Sequence, residues 1–181
     1  MEKMNITYRT LQPEEICRAL FAQFIRRQVV TQCWRKVDGG WCVQDAPFID
    51  DWSEADYAVL VDCLCRTART GGLVLAAFAD GALKGFCSVE AEPIGARGQY
   101  RDLTSIHISE DMRGRGIGRA LFSEAKAWAK AQGADRLYIS AHSAVESQSF
   151  YRAMGCVEAE EIQQKHVDAE PFDCQLECAV D

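Results

Sequence analysis

The sequence has no apolar run approaching the ~20 residues that span a bilayer. It has no internal repeat, no low-complexity tract and no Gly-Lys-Ser/Thr phosphate loop. Positive charge is the minority sign, with 20 Lys and Arg against 27 Asp and Glu, a formal net charge of -7. That balance argues against phosphate-backbone binding as a main role, so neither a nucleic-acid nor a membrane partner is expected. Cysteines in C-x-x-C pairs and Cys/His sets with zinc-ligand spacing are both missing, so no metal is expected. Met1 to Asn5 leads straight into a strand-like segment with no apolar leader, which makes a cytoplasmic protein with reduced thiols the expectation.

What is present fits one domain over residues 1–181, since 181 residues supply one substantial core but not two. Several of the nine cysteines sit beside Val, Leu or Phe in apolar-patterned segments, where free Cys acts as a small core residue. Ile6 to Leu11 reads as a strand, and Ile16, Leu20, Phe24 and Ile25 give Glu14 to Val30 a helical spacing. Thr31 to Asp51 reads as irregular, with Asp38-Gly39-Gly40 and Ala46-Pro47 as turn signals. A second helix is expected from a Ser53 N-cap with Asp56 to about Thr70, stopped by Gly71-Gly72.

Strands are then expected over Leu73 to Ala79 and Leu83 to Glu92, joined by the hairpin dipeptide Asp80-Gly81, and over Tyr100 to Ser109. A helix from Gly116 to Gln132 comes next, then a strand over Arg136 to Ser140. Ser143 to Glu146 reads as a capping box opening a helix that ends at Gly155. Cys156 to Ile162 and Phe172 to Cys178 are the closing strands. The fold class is mixed α/β, antiparallel in its first half with β-α-β crossings in its second.

The most informative stretch runs from Leu103 to Arg119, where a strand feeds a loop whose glycines enter a helix N-terminus. Unpaired backbone N–H groups and the positive end of the helix dipole suit phosphate oxygens there. Arg113, Arg115 and Arg119 add positive charge. A dinucleotide fingerprint starting at Gly114 would need glycine or alanine at Arg119, and an acidic end to the next strand where Ser140-Ala141 stands.

These residues resemble the GNAT superfamily of N-acetyltransferases. Arg113-Gly114-Arg115-Gly116-Ile117-Gly118 fits the R/Q-x-x-G-x-G/A motif that comes after that family's fourth strand. Ser147 to Cys156 is similar to its A-x-x-F-Y-x-x-x-G-F segment, with Ser147 for alanine and Cys156 for the aromatic. The resemblance implies a mixed sheet of about seven strands, splayed between the fourth and fifth, with about four flanking helices. It also implies acetyl-CoA as cosubstrate in the splay. Ile106, His107 and Ile108 would pair with the pantetheine arm, and Arg113, Gly114, Arg115, Gly116, Ile117, Gly118 and Arg119 would surround the pyrophosphate, with Ser147 nearby. Ala144 stands where relatives often carry an asparagine. A homodimer is a further implication.

Acetyl transfer to an amine needs a proton donor for the leaving thiolate, and the resemblance gives that role to Tyr151; a phenol's pKa of ~10 suits it. Strand amides near Ile108 would polarise the thioester oxygen. For the base, Asp102 aligns with the glutamate of some relatives, with Glu90 and His107 as alternatives. Asp102 and His107 have opposite strand parity and share a face only if a bulge intervenes. The acceptor, an amine on a small molecule or a peptide, would meet Trp34, Trp41 and Glu90, with His166 and Glu170 to Asp173 bordering the same cleft. The competing expectation is a non-catalytic acyl-CoA sensor on the same fold.

Overall fold

The structure, a computed structural model, describes residues 4–181, so the reading of Met1 to Lys3 lies outside the described residues. Strand β1 (Ile6–Thr10) is followed by two short 3-10 turns, Pro13–Glu15 and Arg18–Phe21, and by a long hairpin of β2 (Arg27–Val37) and β3 (Gly40–Asp51). Then come α1 (Glu54–Arg69), β4 (Leu73–Ala79), β5 (Ala82–Val89), β6 (Tyr100–Ile108), α2 (Ile117–Ala131) and β7 (Arg136–Ala141). The chain closes with α3 (Val145–Ala153), β8 (Val157–Glu158), α4 (Gln164–Ala169) and β9 (Cys174–Ala179).

Seven strands form one sheet in the order β1-β4-β5-β6-β7-β9-β8, and β2 and β3 form a separate pair. Every pairing in the large sheet is antiparallel except β6 with β7. That parallel pair holds over Tyr100↔Arg136, Arg101↔Leu137 and Asp102↔Tyr138 and stops there. The splay expected between the fourth and fifth strands is therefore the fork between β6 and β7. Beyond Asp102, the edge of β6 from Leu103 to Ile108 pairs with β5 alone.

Alternation along the strands gives the sheet two apolar faces. Val74, Ala76 and Phe86 pack under α1 with Phe21, Phe24, Tyr57 and Leu64. Leu75, Cys87, Val89 and Leu103 pack under α2 through Ile117, Leu121, Phe122 and Ala125, and Phe150, Tyr151 and Met154 of α3 join that side. The α1 cap forms as read: Ser53 Oγ accepts from the Asp56 amide at 3.2 Å, and Asp56 Oδ2 accepts from the Ser53 amide at 2.8 Å.

Four expectations need correction. The helix expected over Glu14 to Val30 does not form. Its apolar residues Ile16, Phe21 and Phe24 are buried from 3-10 turns, and the β-branched pair Val29-Val30 already lies in β2. The stretch read as irregular is the β2–β3 hairpin. Asp38 and Gly39 take positive φ of 50° and 81°, nearly those of Asp80 and Gly81 at 50° and 80°. Both dipeptides thus make the two-residue turn whose twist matches paired strands. The Ser143 capping box does not form either, because Ser143 Oγ accepts from Arg35 Nη1 at 2.6 Å and α3 starts from Ala144 without a side-chain cap. Lastly, the strand expected over Cys156 to Ile162 shrinks to the two residues of β8, and the short helix α4 lies between it and β9.

Gly85 on β5 lies where α2 crosses closest. A Cβ there would sit 2.8 Å from Ile117 Cγ2 and 3.2 Å from Ile108 Cδ1. Gly85→Ala is expected to destabilise the fold by about 1–3 kcal/mol through overpacking, read from the urea midpoint. An unchanged midpoint would mean that α2 has room to shift.

Candidate active site

The fork opens into a cleft of about 580 Å³. Ile106, His107 and Ile108 of β6 line it, with Arg113, Gly114, Gly116, Ile117, Gly118 and Arg119 of the loop and first turn of α2, and Ser147 and Tyr151 of α3. Except for Arg115, which is exposed outside it, this is the full set that the sequence assigned to cofactor contact.

The loop is shaped by its glycines. Gly114 and Gly116 have φ of 75° and 81°, and nothing lies within 4 Å of a Cβ built on either. They are needed for left-handed backbone and they leave open space for a ligand to approach the chain. Gly118 acts otherwise: a Cβ there would meet Phe150 Cε2 at 3.1 Å, so it lets α3 close onto α2. The first intrahelical bond runs from the Ala120 amide to the Gly116 carbonyl at 3.1 Å, leaving the amides before it without an intrahelical partner. Arg113 is engaged as a clamp, its Nη2 donating to the Arg27 carbonyl at 2.7 Å. Phosphates and an extended arm fit this donor set and this unpaired strand edge.

Tyr151 lies between Phe150 and Phe122, with ring centroids at 5.3 and 6.5 Å. Burial, helped by Cys156 and Asp173, pushes its phenol above the ordinary value, so the group stays protonated at neutral pH. No hydrogen bond among the described residues engages its hydroxyl.

His107 is pressed between Trp52 (4.8 Å) and Phe86 (5.5 Å). Burial, together with the guanidinium groups of Arg26 and Arg113, lowers its pKa to about 3. It is a neutral wall of the cleft and cannot gather a proton at physiological pH.

The first three residues missed by sequence reasoning come from the start of the hairpin: Arg26, Gln28 and Val29 form one wall. Arg26 is buried, donates from Nη2 to Asp50 Oδ2 at 2.6 Å and lies over the Trp52 ring at 5.1 Å. Glu146, Phe150 and Met154 complete the α3 side. Only a correct reading of Asp38-Gly39 as a strand turn would have brought the Arg26 segment to the cleft.

Other candidates lie elsewhere. Trp34 and Trp41 fasten the hairpin to α3 and β8 around a smaller pocket of about 110 Å³. Arg152 stacks on Trp34 at 4.8 Å and Trp41 Nε1 donates to Glu158. Glu90 lies just past β5 and accepts from Thr67 Oγ1 at 2.6 Å and Thr104 Oγ1 at 3.3 Å, outside the cleft. Asp102 is 3 % exposed and bonded through Oδ2 to His166 Nε2 at 2.7 Å. Ala144 is buried under the hairpin with Val30 and Cys33, so the position where relatives often carry asparagine packs here and contacts no ligand space.

The fork, the glycine loop on a helix N-terminus and the open strand edge together define an acyl-CoA-type transferase architecture. The Acetyltransferase (GNAT) family model matches residues 40–156, and the chain belongs to that family. Among solved structures it resembles a nourseothricin acetyltransferase, at 18% identity and a TM-score of 0.70 over 97% of this chain and 99% of that one. It also resembles a putative streptothricin acetyltransferase from Bacillus anthracis in complex with acetyl coenzyme A, at 16% identity and 0.69 over 96% of each chain. A third is the PaiA N-acetyltransferase from Thermoplasma acidophilum with coenzyme A, at 17% identity and 0.60 over 97% and 99%. At these identities the likeness is one of fold. No curated protein sequence matches the chain.

The depressed His107 pKa sets a pH dependence. A neutral ring is favoured by folding, so this stability is fully present above the unfolded value of ~6.5 and is lost as pH falls toward about 3. His107→Phe is expected to flatten the decline in denaturation midpoint between pH 6.5 and 4; parallel declines in both proteins would remove His107 as a cause.

Proposed function

We propose that the protein moves an acetyl group from acetyl-CoA to a primary amine of a small molecule or peptide, with Tyr151 as general acid. The observation that carries this reading is the unpaired edge of β6 running into the glycine loop, with the protonated Tyr151 lining the same cleft. Bound acetyl-CoA supplies an acyl group activated as a thioester.

The chain's own residues do the rest. Amides from Arg113 to Arg119 hold the pyrophosphate, and the Ile106 to Ile108 edge orients the extended arm as an added strand would. Amides of that edge also polarise the acyl oxygen. Tyr151 donates its proton to the departing sulfur, and the aromatic packing around it excludes water. The wall of Arg26, Gln28 and Val29 is the part of the cleft that the hairpin supplies, and choice among amines is expected to depend on it. Nourseothricin and streptothricin, named for two of the structural relatives, are the first acceptors to try.

Calorimetric titration with acetyl-CoA and with free CoA is expected to give micromolar binding of both. Gly116→Val, which forces a β-branched residue to a φ of 81°, is expected to abolish it. No binding up to millimolar ligand would end the proposal. Tyr151→Phe is expected to slow turnover ~10²-fold with little change in acetyl-CoA affinity, and a near-wild-type rate would take Tyr151 out of the mechanism.

A further inference from the structure

The fork has a second face, away from α2 and α3, and a carboxylate–imidazole pair sits at its vertex. The residue that brings it there is Thr104. On β5 the register runs Ser88↔Ser105 and then Val89↔Leu103, so Thr104 is an extra residue in β6. This bulge reverses the alternation: Leu103, Ile106 and Ile108 all turn toward α2, and Asp102 returns to the face that carries His107. Tyr138 and Ser140 of β7 point the same way, since Leu137, Ile139 and Ala141 join the α2 side.

Asp102 is the last residue of β6 that pairs with β7. His166 of α4 stacks on Tyr138, with ring centroids 5.6 Å apart and planes 17° apart, and its Nε2 lies 2.7 Å from Asp102 Oδ2. An ionised carboxylate only accepts, so Nε2 carries a hydrogen toward Asp102, and in the neutral ring Nδ1 is the acceptor. The imidazole side chain is 21% exposed while the carboxylate is 4% exposed. Asp102 Oδ1 is buried and unpartnered among the described residues. The other titratable groups around the ring are Lys165, whose Nζ is 4.0 Å from Asp102, the Tyr138 phenol, and Asp173, which senses both His166 and His142.

We infer that His166 is the base for the acceptor amine and that Asp102 is the positioning residue that fixes its tautomer. The inference rests on the acetyl-transfer reading. In that reading the pyrophosphate sits beyond the C-terminal end of β6 and the arm runs back along Ile108 to Ile106. The acyl end would therefore lie toward the vertex, where an amine entering from the opposite face would meet it beside His166. As the amine nitrogen bonds to the acyl carbon, its proton passes to His166 Nδ1, directly or through one water. The carbon–sulfur bond breaks with its electron pair on sulfur, and that sulfur takes the Tyr151 proton. Asp102 stays ionised and balances the imidazolium.

Two measurements test this. Nitrogen-15 NMR of the histidine side chains, in the protein without ligands, is expected to report a single Nε2–H tautomer for His166. In Asp102→Asn the amide can donate to Nε2 instead, and the Nδ1–H tautomer or a mixture is expected. Turnover with acetyl-CoA and nourseothricin is expected to fall ~10²-fold or more in both His166→Ala and Asp102→Asn. The acidic limb of the wild-type rate profile should vanish in His166→Ala, with acetyl-CoA affinity and melting temperature of that variant near wild type. Wild-type turnover in His166→Ala, or a tautomer mixture in the unmutated protein, would overturn the inference. Failure of the acetyl-transfer reading looks different, because then acetyl-CoA does not bind and the tautomer result is unaffected.

Discussion

Everything at the candidate site depends on where β6 and β7 stop pairing. Three residue pairs hold the two strands together, and after Asp102↔Tyr138 each goes its own way, β6 staying with β5 and β7 with β9. A strand edge in the middle of a sheet is costly if its amides and carbonyls face nothing. Here the edge faces a cleft, so a ligand that pairs like a strand satisfies it. The α2 helix fills the crossover between the two strands, and its N-terminus consequently opens at the end of β6 with its unpaired amides. The open helix N-terminus and the strand edge are thus two results of one topological choice.

The β2–β3 hairpin supplies one wall of the cleft. It is anchored by a backbone bond from Trp34 to the Ser143 carbonyl at 2.8 Å and by the Cys33–Ala144 bridge, so it continues past the end of β7. That docking buries Ala144 and takes the Ser143 hydroxyl for Arg35, which removes two groups that could have met a ligand at the start of α3. In exchange it brings Arg26, Gln28 and Val29 to the cleft wall. The Arg26–Asp50 pair beside Trp52 ties the base of the hairpin to the core under α1, and its guanidinium adds to burial in keeping His107 neutral. Packing far from the loop therefore decides the electrostatics next to it.

Legibility differed sharply along the chain. Apart from the cap of α3, the segment from Leu73 to Gly155 was readable because its signals are local: Asp80-Gly81 specifies a turn, apolar spacing specifies α2, and Gly114 and Gly116 can adopt conformations that other residues resist. The first fifty residues were not. Ile16, Leu20 and Phe24 do recur at helical spacing, yet their side chains are held by Tyr57, Trp52 and Phe86, which are distant in sequence. Asp38-Gly39 was legible as a turn but its strands were not, because its flanks, Lys36-Val37 and Gly40-Trp41, mix charge and glycine where those of Asp80-Gly81 are apolar. In an isolated two-stranded sheet no alternating core face marks the strands.

By itself the sequence determined the fold class, the glycine loop, the helix bearing Tyr151 and the family, because each arises from backbone preference or from short spacing within one element. Tertiary structure alone decided which carboxylate meets which imidazole. Strand parity counted along the chain separates Asp102 from His107, and only the pairing of β6 with β5, with Thr104 bulged out, returns them to one face. The contact between Asp102 and His166 joins residues 64 apart through a strand and a six-residue helix that no local signal announces. Such a contact depends on the register and docking of whole elements, and those are set by the core rather than by the residues that meet.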